Sequence, residues 1–134
     1  MALDYGERRI GVALSDTNRM ISYPYKTIDA KKNPDVIREI FLIIKDQNVE
    51  MILLGNPETA NGEDSAKSKD IKGFISKLQH HVSIPIKLWN ESFTTKNAIR
   101  VLVQGNRKLK KHRNKVDQIA ASLILKDYLD QKAI

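Results

Sequence analysis

Leu3-Asp4-Tyr5-Gly6-Glu7-Arg8-Arg9-Ile10-Gly11-Val12-Ala13-Leu14-Ser15-Asp16 reads as two strands around a tight turn. Residues 1–5 are mostly apolar, Ile10 to Leu14 is apolar and β-competent, and Gly6 opens the connection. Asp4 breaks the pattern, set inside the first strand between Leu3 and Tyr5. A carboxylate there loses hydration, which is costly unless a cation or a set of donors compensates. Gly6 can take a positive φ, and Gly11 leaves room in the second strand for another backbone or a ligand to approach closely. A strand carboxylate beside open glycine backbone suits metal-bound phosphate chemistry. It suits equally an Asp that caps the turn, and this stretch alone leaves both open.

Working outward, Ile21 to Ile28 alternates loosely and reads as a third strand, with Pro24 pointing to an edge position or a bulge. Asn33-Pro34-Asp35 supplies an N-cap, a proline at the first helical position and an acid in the first turn. The helix expected there runs to about Asn48, with Val36, Ile37, Ile40, Phe41, Ile43 and Ile44 on one face. Met51-Ile52-Leu53-Leu54 is too short for a helix and suggests a buried strand. Gly55 to Glu63 reads as a loop, and Asp64 can cap a helix with Ile71, Phe74, Ile75 and Leu78 inward and lysines outward. Ile84 to Trp89 makes a further strand, and Thr94 or Thr95 starts a short helix that stops near Gly105. A last helix is expected from about Lys115 to Gln131. Three sequential strands suggest an antiparallel meander, and later strands separated by helices suggest parallel crossovers. The expected fold is α/β and RNase H-like: a mixed five-stranded sheet flanked by helices, in the order βββαβαβαα.

At 134 residues the chain is expected to form one domain. It has no cysteine, which excludes disulfide scaffolds, thiolate metal sites and cysteine nucleophiles. No apolar run is long enough to span a bilayer, and the first residues lack signal-peptide order, so a cytoplasmic protein with no membrane partner is expected. A net charge of +7 favours a polyanionic partner, nucleic acid first.

Three acids could converge at the strand ends, where α/β sheets collect ligands: Asp4, Glu91 after the strand ending at Trp89, and Asp117 opening the last helix. Shared carboxylates can hold two divalent ions about 4 Å apart for phosphodiester cleavage. Magnesium needs only one or two carboxylates per ion. Taken singly, Glu91 reads as a loop acid, and Asp117, three residues after Asn114, as an acid near an N-cap; together, in this strand order, the three favour a metal site. The run Arg107-Lys108-Leu109-Lys110-Lys111-His112-Arg113-Asn114-Lys115 is the densest positive charge in the chain. Its place just before a candidate ligand favours phosphate contact over a plain solvated loop.

Four blocks then carry a resemblance that spans nearly the whole chain. Leu3-Asp4-Tyr5-Gly6 through Arg8-Arg9-Ile10-Gly11-Val12-Ala13, with Ser15-Asp16, is similar to the opening signature of the YqgF (RuvX) family. Leu54-Gly55-Asn56-Pro57 with Asn61-Gly62 resembles its glycine-proline loop, with Asn56 where leucine is usual. Asn90-Glu91-Ser92-Phe93-Thr94-Thr95 resembles its Asp-Glu-Arg-(Leu or Phe)-(Ser or Thr)-Thr block, and Lys115-Val116-Asp117-Gln118-Ile119-Ala120-Ala121 its closing Lys-x-Asp-x-x-Ala-Ala block.

That family comprises pre-16S rRNA nucleases and Holliday-junction-resolvase-like proteins. The resemblance implies a single nuclease domain over residues 1–134, processing the 5′ end of pre-16S rRNA on the ribosome precursor. It implies Mg2+ or Mn2+ held by Asp4, Glu91 and Asp117. Arg8, Arg9, Arg107, Lys108, Lys110, Lys111, Arg113 and Lys115 are the expected nucleic-acid contacts, and the expected state is a monomer or weak homodimer. A junction-DNA resolvase and a non-catalytic RNA-binding assembly factor are the alternatives. Asn90 and Ser92 stand where the family has an acid and an arginine, which leaves reduced activity open.

Overall fold

A computed structural model of the chain describes residues 1–57, 66–91 and 113–132, apart from the side chains of 56–57, 66–68, 90–91 and 113. Its strands are β1 (Ala2–Asp4), β2 (Arg9–Ser15), β3 (Ser22–Asp29), β4 (Ile52–Pro57) and β5 (Ile86–Glu91). Its helices are α1 (Val36–Gln47), α2 (Ala66–Gln79) and α3 (Arg113–Lys132). The strands form one sheet in the order β3-β2-β1-β4-β5. The first three are antiparallel neighbours, whereas β1, β4 and β5 run parallel. The mixed sheet is the one that the order of elements predicts.

Strand alternation sorts the side chains onto two faces. Leu3, Ile10, Val12, Leu14, Ile52 and Leu54 pack with Ile40 and Ile43 of α1 and Ile71, Phe74 and Leu78 of α2. Ala2, Ala13 and Leu53 pack on the opposite face with Ala121, Ile124, Leu125 and Leu129 of α3. Ile52, Leu53 and Leu54 are all fully buried, because β4 is covered from both sides. Pro24 lies on edge strand β3 beside a register shift. Val12 pairs with Lys26 and Ala13 with Pro24, which leaves Tyr25 as the extra residue.

Several boundaries differ from the sequence expectation. The N-cap of α1 is Asp35, whose carboxylate accepts from the Arg38 N–H at 3.3 Å; Asn33 instead donates from its side chain to Glu39 Oε1 at 2.8 Å. The helix ends as expected at Asn48, in a left-handed conformation at φ 52°. Gly55 to Pro57 are strand rather than loop, since each finds a parallel partner on β5 (Trp89, Asn90 and Glu91). Glu91 is therefore the last residue of β5, not a loop acid after it. Asn114 is no N-cap: it lies inside α3, which already includes Arg113. Asp117 is thus one turn into the helix. The expected cap at Asp64, the short helix after Thr94 and residues 107–112 of the basic run lie outside the described residues. No helix among the described residues is long and apolar enough to cross a membrane.

Candidate active site

Asp4 closes β1 and is partly buried. Its antiparallel partner on β2 is Gly11, two residues along from the Ala2–Ala13 pair. Paired residues share a face, so Asp4, Gly11 and Arg9 all belong to the side covered by α3. Gly11 matters because it has no side chain. A Cβ there would overlap the backbone carbonyl of Asp117 and stand 3.0 Å from the Asp117 Cβ. Of the two occupants that the sequence left open at Gly11, the structure supplies backbone, and that backbone belongs to a candidate ligand. Gly6 also serves close approach: its φ lies outside the left-handed range, and a Cβ would stand 2.7 Å from the Arg9 carbonyl oxygen.

Hydroxyls of edge strand β3 hold α3 in this place. Thr27 Oγ1 donates to the Asn114 carbonyl, and Ser22 Oγ donates to the Ser122 carbonyl at 2.8 Å. Arg9 completes the arrangement. Its Nε donates to Asp117 Oδ2 at 3.1 Å, with the two side chains 23% and 26% exposed. Residues 108 apart in sequence are thereby paired at the sheet surface, beside the strand that carries Asp4. Sequence reasoning placed Arg9 among the nucleic-acid contacts and missed this role. The signal was its spacing, two residues before Gly11 and so on the same face.

Glu91 enters from the other side. Ala2 pairs with Leu53 and Leu3 with Leu54, and continuing that register by one residue sets Gly55 beside Asp4. Gly55 in turn pairs with Trp89. Glu91 is two residues beyond, a position on the α3 face by strand alternation. Two strand spacings and two residues of rise put its backbone roughly 12 Å from that of Asp4. Trp89 fixes this end of β5 against α3. Its Nε1 donates to Asp127 Oδ2 at 2.8 Å, and its ring meets Tyr128 edge-on at 5.2 Å. Lys87 Nζ lies 5.7 Å from the Trp89 ring and 5.6 Å from the Tyr128 ring.

Carboxylate oxygens are hard donors of the kind that magnesium and manganese take, and Asp4 and Asp117 bring two such groups to one side of Gly11. Among the described residues no three acidic or histidine side chains converge, and the side chain of Glu91 is not one of those described. The opening stretch carries two further acids, Glu7 and Asp16. Asp16, at the far end of β2, accepts from the N–H groups of Met20 at 2.8 Å and Ile21 at 3.0 Å. The Ile21 and then the Met20 hydrogen bond hold its carboxyl below the usual carboxylate range. Asp16 organises the β2–β3 turn, in which Arg19 takes a φ of 57°. Glu7 is exposed between β1 and β2. Of the expected phosphate contacts, Arg8 is exposed, with its carbonyl bonded to the Ala30 N–H at 2.7 Å, and Lys115 is exposed in the first turn of α3. Arg107, Lys108, Lys110 and Lys111 lie outside the described residues.

A family model described as RuvX, Holliday junction resolvase, matches residues 1–131. A relative from Roseiflexus sp. (strain RS-1), named "Putative pre-16S rRNA nuclease", is 39% identical over 132 residues, covering 98% of this chain and 94% of its own. A relative of the same name from Desulforudis audaxviator is 34% identical over 132 residues, with 98% and 94% covered. Among solved structures, the Fowlpox virus resolvase in complex with Holliday junction DNA aligns with a TM-score of 0.50 at 17% identity, covering 96% of this chain and 95% of that one. The likeness is one of fold, and the fold is RNase H-like.

Proposed function

The chain belongs to the RuvX family of Holliday junction resolvases, and from that premise we propose that it is a divalent-metal-dependent nuclease that processes the 5′ end of pre-16S rRNA. The observation that supports the reading is that Asp4 pairs with Gly11 and the Asp117 backbone rests on that same glycine, so residues from opposite ends of the chain share one face of the sheet. Asp4, Asp117 and Glu91 would hold Mg2+ or Mn2+. An ion bound there supplies Lewis acidity toward a phosphodiester. The names of the relatives favour a pre-rRNA substrate on the ribosome precursor, and the net charge of +7 favours a nucleic-acid partner.

The chain's own residues have distinct tasks in this reading. The close fit at Gly11 holds Asp117 in place, and Trp89 steadies the strand end that carries Glu91. Arg8, Arg113, Lys115 and the basic run before them would contact the phosphate backbone, which orients a substrate without reading its sequence. The protein would work in the cytoplasm as a monomer or weak homodimer, with residues 1–134 forming one nuclease domain.

The test uses the full chain, a labelled pre-16S rRNA fragment and a four-way DNA junction, each with Mg2+ or Mn2+. Wild type should cut the RNA. Asp4→Asn should lower that rate on the order of 100-fold or more. Its thermal melt should stay near wild type or rise, because crowded carboxylates repel one another. An Asp4→Asn protein that cuts at the wild-type rate refutes the assignment. Cleavage of the junction alone would transfer the same site to the resolvase reading, which the family description favours.

A further inference from the structure

We propose that Arg9 is a positioning residue whose guanidinium pairs with the Asp117 carboxylate, so that a divalent ion at that carboxylate binds against its charge. The inference rests on the metal-site reading above and adds to it a residue that sets the affinity of that site.

Three constraints make the pair more than a chance surface contact. Arg9 opens β2 two residues before Gly11, so strand alternation fixes it on the face that α3 covers. The helix backbone at Asp117 rests directly on Gly11, and Thr27 and Ser22 tie α3 to the sheet on either side of it. The Asp117 carboxylate is therefore carried at a set height over β2, with only its side-chain torsions to adjust. The Arg9 Nε hydrogen bond to Oδ2 at 3.1 Å restrains those torsions as well. Both side chains are about three-quarters covered, so bulk water screens the pair only partly.

The two consequences for a metal ligand have opposite signs. A hydrogen bond to one carboxylate oxygen orients the group, as the outer partners of metal ligands commonly do. A fixed positive charge within a few ångströms of the ion opposes its binding. An ordinary structural ion pair would show only in the melt. Arg9 should show in the sign of the change in ion affinity, because neutralising it removes the repulsion.

The experiment compares wild type, Arg9→Gln and Arg9→Lys as full chains without nucleic acid. Mn2+ binding is followed by calorimetry, and thermal melts are recorded in chelator and in Mn2+. Arg9→Gln should bind Mn2+ about fivefold or more tightly than wild type, and Arg9→Lys, which keeps the charge, within about twofold of it. In chelator Arg9→Gln should melt below wild type, and Mn2+ should raise its melt by more. Equal or weaker Mn2+ binding by Arg9→Gln overturns the proposal. Binding by Arg9→Gln where wild type binds none supports it. Failure of both to bind overturns it together with the metal-site reading. Wild-type binding that Asp4→Asn leaves untouched counts against that reading alone. If Arg9→Gln does not fold, Arg9→Met, which keeps an unbranched stem without the charge, takes its place under the same criteria.

Discussion

The two faces of the sheet are built from different residues and do different work. Beneath α1 and α2 the strands present Leu3, Ile10, Val12, Leu14, Ile52 and Leu54, branched side chains that keep the helices at ordinary packing distance. Beneath α3 the same central strands present Ala2, Asp4, Gly11 and Ala13. Small residues let the helix sink onto β1 and β2 until the Asp117 backbone touches Gly11. One face supplies the larger share of buried apolar surface. The other gives up apolar area, and the last helix lies close over the strands that carry Asp4 and Gly11. In the proposed reading, stability and chemistry fall on opposite sides of one sheet.

Substitutions that treat the faces alike should expose this division. Gly11→Ala is the smallest change available and should have the largest combined effect, since its methyl group overlaps the Asp117 carbonyl. The helix must shift, at a cost of about 2–4 kcal/mol in denaturant unfolding. Cleavage by the protein that remains folded should fall on the order of 100-fold, because Asp117 moves with the helix. A Gly11→Ala protein with wild-type melt and rate would mean that the close approach has no function.

Leu54→Ala on the other face should lower stability by a comparable 2–5 kcal/mol, about the usual cost of emptying a fully buried leucine site. Divalent affinity of the folded protein should be unchanged below the unfolding transition. A matching loss of affinity would break the division of labour between the faces.

Asp16→Asn should have the smallest effect, confined to the hairpin at the far end of β2. The Asp16 carboxyl is held below its ordinary range in the folded chain by the Ile21 and Met20 N–H groups. Its contribution is therefore present above the unfolded-state pKa and lost as pH falls through the lower folded value. Melts from about pH 5 to about pH 2 should show wild type losing this increment on acidification, and Asp16→Asn should lack it at every pH. Mn2+ affinity should be the same in both; a change would place Asp16 in the site.

Much of this organisation was legible in local pattern. The apolar run at Met51 to Leu54 announced a buried strand, and Pro24 announced an edge position or a bulge, of which the structure has both. The helical spacing of Ile71, Phe74 and Leu78 announced the buried face of α2. Asp4 in an apolar strand and Gly11 in the next were visible as exceptions, and exceptions to local pattern gather at functional sites. Element ends were less legible. Asp35 rather than Asn33 caps α1, and β4 and β5 continue through Pro57 and Glu91 because each offers the other a ladder partner.

The amino-acid sequence by itself determined the order of the described strands and helices, the alternation of apolar residues along the central strands and the family to which the chain belongs. These follow from side-chain period and from motif, both properties of short stretches. It did not fix every helix face, since Phe41, expected on the buried side of α1, is 38% exposed. Only the tertiary structure decided that the space at Gly11 is filled by Asp117, and that Arg9 is paired with that carboxylate. No local rule relates Arg9 to Asp117, residues 108 apart. Their contact depends on how deeply α3 settles on the sheet. That depth is set jointly by Ala2, Gly11 and Ala13 beneath the helix and by the Thr27 and Ser22 hydroxyls that hold it there.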